Sequence, residues 1–269
     1  MHTFLGALRY EWIRLRSIRA TWLLVLAAVV SAGLVAWIVA REIIRGEEFL
    51  SEPETVVSLL SGSSGVGPLS FPALFVGLIG VAALGTEYRH GLMQTTLSAI
   101  PRRGVLLTAK LLVVAVFAGL TATLSMGAAY AVGRAEIGPG LSTSLLTAGD
   151  TERALGGFIA LVVLTSLLGV ALGALLRSAS AAAVVLVALP ALIEPLAIWA
   201  LTGPNSATGE DIAAHLPFTA GAQMVNLPGG DGPGFDLVAL GAMAGGLTFL
   251  AFVLATTFVS SAAFARRDA

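Results

Sequence analysis

One acidic residue, Glu194, lies within a long apolar stretch of the sequence. A carboxyl group is costly inside a membrane and often marks a substrate or ion pathway. Pro190 and Pro195 flank it, and proline removes a backbone hydrogen bond from a helix. The pattern indicates a helix that is broken near its outer end. Glu194 and Pro195 either contribute there to a transport pathway or its gate, or Glu194 makes a structural hydrogen bond near the membrane interface.

The remaining reactive residues form no recognised catalytic or nucleotide-binding motif. The sequence has no cysteine, and its three histidines, His2, His90 and His215, lie far apart without the spacing of a zinc site. The only lysine, Lys110, lacks the preceding glycine-rich loop that binds nucleotide phosphates. We therefore expect no enzyme activity and no cofactor on this chain. The net charge of −1 gives no indication of nucleic-acid binding.

The composition indicates that lipid is the main solvent of the chain. Of its 269 residues, 57% are hydrophobic and 12% are charged, against about 25% charged residues in soluble domains. A helix needs about 20 apolar residues to cross the hydrocarbon of a bilayer. We predict an all-α membrane protein, a single transmembrane domain over residues 1–269. Its six predicted spans are residues 21–40, 68–86, 111–133, 154–176, 178–203 and 237–265.

The distribution of basic residues predicts the orientation of these spans, because cytoplasmic loops carry an excess of Arg and Lys. With both termini in the cytosol, eleven basic residues are cytosolic: Arg9, Arg14, Arg16, Arg19, Arg89, Arg102, Arg103, Lys110, Arg177, Arg266 and Arg267. Four remain outside: Arg41, Arg45, Arg134 and Arg153. The preference for Arg over Lys, with abundant Ala and Gly, suggests a GC-rich bacterial genome. We therefore expect a multi-pass protein of a bacterial plasma membrane.

The N-terminal segment, residues 3–20, has the pattern of an amphipathic helix. Its apolar residues share one side, namely Phe4, Leu8, Trp12, Leu15 and Ile18, and Arg14 and Arg16 lie elsewhere. This arrangement suits a helix in the membrane surface, although Glu11 and Arg19 interrupt the apolar arc. The alternative is a basic flank that only sets the topology.

The segment between the second and third spans, residues 87–104, has the pattern of a structured cytosolic loop. Met93, Leu97 and Ile100 fall on one stripe of a short helix. Pro101 ends that helix, because the residue before a proline disfavours helical geometry. Arg102 and Arg103 complement its carbonyl end.

Four short motifs, EYRHG, IPRRG, YEWIRLRSIRATW and LPFTAG, together resemble type 2 ABC transporter permeases. The resemblance implies an exporter subunit that forms the translocation path as a homodimer or heterodimer. It also implies a separate ATPase subunit that holds ATP and Mg²⁺. The coupling helix Met93 to Ile100 and the N-terminal interfacial helix would rest on that ATPase. Glu87, Arg89, Arg102 and Arg103 would then lie at the ATPase contact.

Two alternatives stay open at this stage. An ATP-independent proton-coupled or ion-coupled carrier could use Glu194 instead of an ATPase. The outer segment 211–225 is apolar enough for a re-entrant or interfacial element, or for a loop packed over the bundle. The span faces are mainly Ala, Leu, Val and Gly, so the transported substrate has no signature in the sequence.

Overall fold

The computed structural model describes residues 2–46, 53–62, 70–89, 103–141, 149–202, 207–227, 237 and 240–266. In this part of the chain, long apolar helices dominate, and six of them have the length and composition to cross a membrane. The prediction of an all-helical protein with six apolar spans is therefore confirmed. The predicted coupling helix, residues 93–100, lies outside the described residues, so it stays a prediction, as does the orientation of the termini.

The described helices differ widely in length along the chain. We number them α1 His2–Ser17, α2 Arg19–Arg45, α3 Pro53–Ser61, α4 Phe71–Arg89, α5 Arg103–Ile137, α6 Gly149–Leu176, α7 Ala179–Ala188, α8 Glu194–Leu201, α9 Ala207–Ala214, α10 Pro217–Ala222 and α11 Ala242–Arg266. The candidate spans are α2, α4, α5, α6, the continuous pair α7–α8, and α11. We call the end of the bundle where α4 ends and α5 begins the loop end, because the segment 90–102 joins them there.

The third span differs from its predicted bounds. Helix α5 begins at Arg103 rather than at residue 111, and it is 35 residues long. Lys110 therefore lies within the helix, and it is buried rather than exposed on a cytosolic loop. The reason is tertiary, because Lys110 finds carboxylate partners on two other helices.

The fifth span is continuous, although its prolines indicated a break. A π-helical turn, Leu189–Ile193, joins α7 to α8 and contains Pro190. Pro195 lies in the first turn of α8, directly after the π-helical turn. A π-helical turn absorbs the disrupted hydrogen bonds without ending the helix, and such turns are frequent at functional sites.

Helices α4 and α6 form the tightest contact of the bundle. A side chain on Gly80 would overlap the carbonyl oxygen of Ser166, and one on Gly169 would overlap that of Gly77. Glycine at these positions lets the two backbones touch, as small residues commonly do between membrane helices. Phe158, Leu168 and Val76 pack in the core cluster that surrounds this contact.

Three short helices at the end opposite the loop end were not predicted as helices. The short helix α3 buries Leu59 and Leu60 in a cluster with residues of α2 and α5. Helices α9 and α10 fold back over the bundle, and the residues Phe218 to Gly221 of α10 are buried. The segment 211–225 thus packs in part against other helices, and a re-entrant or interfacial position of this segment in the membrane stays a prediction.

Candidate functional site

Four charged side chains from three helices meet inside the protein at the loop end. Glu11 and Arg14 come from α1, Glu87 from the last turn of α4, and Lys110 from the start of α5. The side chains of Glu11, Glu87 and Lys110 are 1% exposed and that of Arg14 is 12% exposed. We call these four residues the ionic cluster.

Lys110 is the residue that contacts both carboxylates. Its Nζ donates to Oε1 and Oε2 of Glu11, each at 2.8 Å, and to Oε1 of Glu87 at 3.0 Å. It also lies 2.9 Å from the carbonyl oxygen of Ala83, one turn before Glu87 on α4. The ammonium group is therefore surrounded by acceptors from α1 and α4, which lets it stay charged away from water.

Arg14 forms a second bridge between α1 and α4. Its Nη1 lies 3.0 Å from Oε2 of Glu11 and 2.5 Å from Oε1 of Glu87. Its Nη2 donates to the carbonyl oxygen of Ala83 at 2.7 Å and to Oγ1 of Thr86 at 3.3 Å. The planar guanidinium group can bond several acceptors at once, so it fixes the position of α1 against α4.

The two carboxylates of the ionic cluster are held to different degrees. Both oxygens of Glu11 accept hydrogen bonds from cations. Only Oε1 of Glu87 contacts cations, and its Oε2 is buried without a hydrogen-bond partner among the described residues. With two negative and two positive groups the ionic cluster is neutral as a whole, which limits the cost of burying it.

The helical repeat of α1 explains why charged residues reach this site. Ala7, Glu11 and Leu15 follow one another at four-residue spacing, and all three are buried against the bundle. Trp12 packs edge-on against Phe117 of α5, with ring centroids 6.1 Å apart. Glu11, which interrupts the apolar arc in the sequence, is thus on the face of α1 that contacts protein.

The predicted interfacial residues of α1 divide between two sides of the helix. Trp12 and Arg14 face the bundle, and Arg16 is exposed. Leu5, Tyr10 and Ile13 are also exposed, so the outward face is itself partly apolar. Helix α1 therefore contacts the bundle through a mixed polar and apolar face, and not only through the apolar arc that the sequence indicated.

The predicted coupling residues are only partly within the described part of the chain. Glu87 belongs to the ionic cluster. Arg89 and Arg103 are the last residue of α4 and the first of α5, with only their backbone described. The remaining four lie outside the described residues: Met93, Leu97, Ile100 and Arg102. The ionic cluster thus joins the last turn of α4 to the second turn of α5, the helices on either side of the segment 90–102.

Sequence reasoning missed Glu11 and Lys110 as site residues. Two signals were present: an acidic residue on the apolar arc of a basic helix, and the only lysine of the chain. Each signal indicates an unusual charged position but does not indicate which residue its side chain contacts. The Lys110 and Glu11 side chains are 99 residues apart in the sequence, beyond the reach of any local pattern.

Glu194 forms a second buried polar site in the opposite half of the bundle. Its Oε1 accepts from the backbone N–H of Phe218 at 2.7 Å. Its Oε2 accepts from the backbone N–H of Thr219 at 2.7 Å and from the Thr219 hydroxyl at 2.8 Å. The carboxylate, 2% exposed, thus occupies the N-terminal end of α10, where the free N–H groups of a helix favour a negative charge.

Other contacts hold the chain around α10 in the same place. The Gln223 side chain donates to the carbonyl oxygen of Ala214 at 3.4 Å and accepts from the N–H of Leu240 at 2.6 Å. A side chain on Gly157 of α6 would overlap the carbonyl oxygen of Met224. Glu194 and Pro195 therefore lie where the fifth span meets a tightly packed outer segment.

Among the residues that the structure describes, no group of His, Asp and Glu side chains could hold a metal ion. No protein-family model matches the sequence, and no curated protein matches it either. The functional assignment consequently depends on the two buried polar sites, the six apolar helices and the motifs of the sequence.

Proposed function

We propose that this chain is the membrane-spanning permease subunit of an ATP-binding cassette exporter, driven by a separate ATPase subunit. The observation that carries the proposal is the position of the ionic cluster. It joins the last turn of α4 and the beginning of α5, the two helices on either side of the segment 90–102. It also joins both of them to α1.

This arrangement suits a segment that receives a mechanical input. If the segment 90–102 rests on an ATPase, its movement reaches α4 and α5 directly. The two helices cannot separate at this point without leaving buried charges unpaired, which costs about 3–5 kcal/mol for a broken buried pair. Movement of the segment 90–102 would therefore displace α4 and α5 together and would not be absorbed by local bending.

The close contact between α4 and α6 extends this path into the bundle. Gly80 and Gly169 let the two backbones touch, and Gly157 at the other end of α6 touches the segment that Glu194 holds. Packed helices transmit displacement because their cores deform little. In the proposed mechanism, ATP binding to the partner subunit favours one of two arrangements of a permease dimer, which requires that nucleotide bind one state better than the other.

The exposed faces of the spans fit both a bilayer and a second permease copy. Leu23, Leu26 and Val30 of α2 are each more than half exposed. Helix α11 likewise exposes Met243, Leu254 and Phe258. Helix faces that expose several large apolar side chains fit contact with lipid or with another membrane helix.

The geometry around Glu194 favours a structural role over proton transfer. A carrier residue must exchange its proton or ion with water during each cycle, and Glu194 is 2% exposed. Its two oxygens accept three hydrogen bonds from Phe218 and Thr219. Protonation would weaken these bonds and release the start of α10. The ion-coupled carrier therefore has less support than the ATP-driven exporter.

Co-purification tests the proposal. The chain is expressed with an affinity tag together with the ATPase subunits encoded in the same genome, and the tagged complex is isolated in detergent. We expect a nucleotide-binding subunit to co-purify. Met93→Asp places a charge on the predicted apolar stripe, and we expect it to weaken the association about tenfold, corresponding to about 1.4 kcal/mol.

Gln94→Asp is the matched control, because it adds the same charge next to the stripe. We expect it to retain the association. If no ATPase subunit co-purifies with the unaltered chain, the proposed function is wrong. If Met93→Asp and Gln94→Asp weaken the association equally, the proposed contact through the apolar stripe is wrong.

A further inference from the structure

We infer that the ionic cluster makes α1 move as one body with α4 and α5, and that Glu11 and Lys110 are the positioning residues for this movement. The inference deepens the proposed function and rests on it for its role in transport. Neither residue belongs to the segment 90–102, and neither is expected to touch nucleotide or cargo.

The ionic cluster connects three helices to one another. Lys110 of α5 contacts Glu11 of α1 and Glu87 of α4 with the same ammonium group. Arg14 of α1 contacts Glu87 and the Ala83 carbonyl of α4. Each of the three helices is therefore tied to the other two by a charged group within the protein.

The two carboxylates of the ionic cluster accept different numbers of hydrogen bonds. Glu11 receives three hydrogen bonds from two cations through both of its oxygens, whereas Glu87 uses only Oε1. The Glu11–Lys110 pair is thus the most completely satisfied ionic contact. We expect the docking of α1 to depend on this pair more than on any other contact of the cluster.

The charged contacts of α1 add a defined geometry to its apolar packing. Leu15 and Trp12 already bury apolar surface against α4 and α5. The hydrophobic effect is non-directional, so these few apolar contacts alone do not specify one register of α1. A buried ion pair has a narrow geometry, and separating it leaves charges without partners. The charges therefore fix α1 in one register, so that it follows α4 and α5.

Distance measurements between spin labels test this inference in the permease alone. The chain has no cysteine, so Arg9→Cys on α1 and Thr108→Cys on α5 give two labelling sites, both exposed. We expect one narrow distance distribution between them. Lys110→Met leaves Glu11 and Glu87 with a single shared cation, and we expect it to broaden the distribution by about twofold or more as α1 is released.

Leu112→Met is the matched control, since Leu112 lies on the same helix and is 47% exposed. We expect it to leave the distribution unchanged. Glu11→Gln keeps the shape of the side chain but removes its charge, and we expect it to broaden the distribution as well. If neither Lys110→Met nor Glu11→Gln has an effect, the ionic docking of α1 is wrong.

The movement itself is tested in the complex with the ATPase subunit. Labels at Arg9 and Thr108 are compared before and after addition of Mg-ATP with vanadate. A second pair, Arg9→Cys with Phe258→Cys, relates α1 to the exposed Phe258 of α11. We expect the first distance to stay constant and the second to change.

A change in the α1–α5 distance on addition of nucleotide would overturn the common movement. A constant α1–α11 distance would show that α1 does not move relative to α11. This result would also overturn the common movement of α1, α4 and α5. Failure of the proposed function is a separate result, since it appears as absence of an ATPase subunit from the complex. In that event the measurements on the permease alone still decide whether the ionic cluster docks α1.

Discussion

The two buried carboxylate sites of this protein solve the same physical problem in different ways. At the loop end, Glu11 and Glu87 are balanced by the cations of Lys110 and Arg14. In the opposite half, Glu194 forms no ion pair among the described residues, and its charge is stabilised by two backbone N–H groups and a hydroxyl. The first site connects three helices, and the second connects one span to one short helix.

The difference shows what each site can hold together. An ionic cluster needs partners on several helices, so breaking any one contact affects all of them. A carboxylate at a helix N-terminus depends on local backbone groups, which remain close to one another when the bond is lost. We therefore expect the ionic cluster to contribute more to the stability of the bundle, and Glu194 to control the position of α10.

Removal of a cation from the ionic cluster is expected to have the largest effect. Lys110→Met leaves buried carboxylates with a single compensating cation, and we expect the free energy of unfolding to fall by about 3–5 kcal/mol. Thermal unfolding in detergent measures the loss. Arg16→Gln on the exposed face of α1 is the control, with an expected change within about 0.5 kcal/mol. Equal effects of the two variants would contradict the role of the cluster.

Neutralisation of Glu194 is expected to have an intermediate effect. Glu194→Gln keeps the shape of the side chain but replaces one acceptor oxygen with a donor, so Phe218 or Thr219 loses an acceptor for its buried N–H. We expect a loss of about 1–3 kcal/mol. Hydrogen exchange of the α10 amides should rise more than that of α4. Asp211→Asn, at an exposed carboxylate, provides the control, and an equal response of α10 to it would refute the specific role of Glu194.

Removal of the Thr219 hydroxyl is expected to have a smaller effect. Thr219→Val keeps the volume and leaves both backbone N–H donors of the Glu194 site in place. We expect a loss of about 1 kcal/mol, the net value of one hydrogen bond. Thr248→Val on α11 removes an exposed hydroxyl that bonds only its own helix, and it should be nearly neutral. A loss from Thr219→Val as large as that from Glu194→Gln would mean that the hydroxyl carries the site.

Loss of the exposed ion pair at the end opposite the loop end is expected to have the smallest effect on the free energy of unfolding. Arg41 lies 3.3 Å from Glu136, and both side chains are accessible, at 52% and 30%. We expect Arg41→Gln to cost less than about 1 kcal/mol, and the cost to decrease further at high salt. The effect of Lys110→Met should depend little on salt. If both respond equally to salt in unfolding experiments, the ionic cluster is not shielded from water.

Much of the fold could be predicted from local patterns. The six apolar segments were recognisable because a helix in lipid must be long and nearly free of charge. The observed spans agree with the predicted ones except at their ends, most clearly where α5 begins at Arg103. The position of a helix end depends on contacts outside the membrane interior, and these contacts cannot be predicted from local hydrophobicity. The short helices α3, α9 and α10 were missed because their length gives too weak a pattern.

The sequence indicated some residues of the candidate sites but not the partners that they contact. Glu87 and Glu194 could be singled out, since one lies in a motif and the other is a charge within an apolar stretch. Their surroundings could not be predicted. Glu194 finds its donors 24 and 25 residues further along the chain, and they face it only because α10 folds back.

The sequence by itself determined that the chain is helical, apolar and long enough to cross a membrane six times, because these properties follow from composition and residue spacing. Only the tertiary structure decided that Glu11 faces Lys110 and that α1 docks on α4 and α5. The physical reason is that a charged side chain must either pair with a partner in the protein or remain hydrated. Which of the two it receives depends on helices that meet in space and not along the chain.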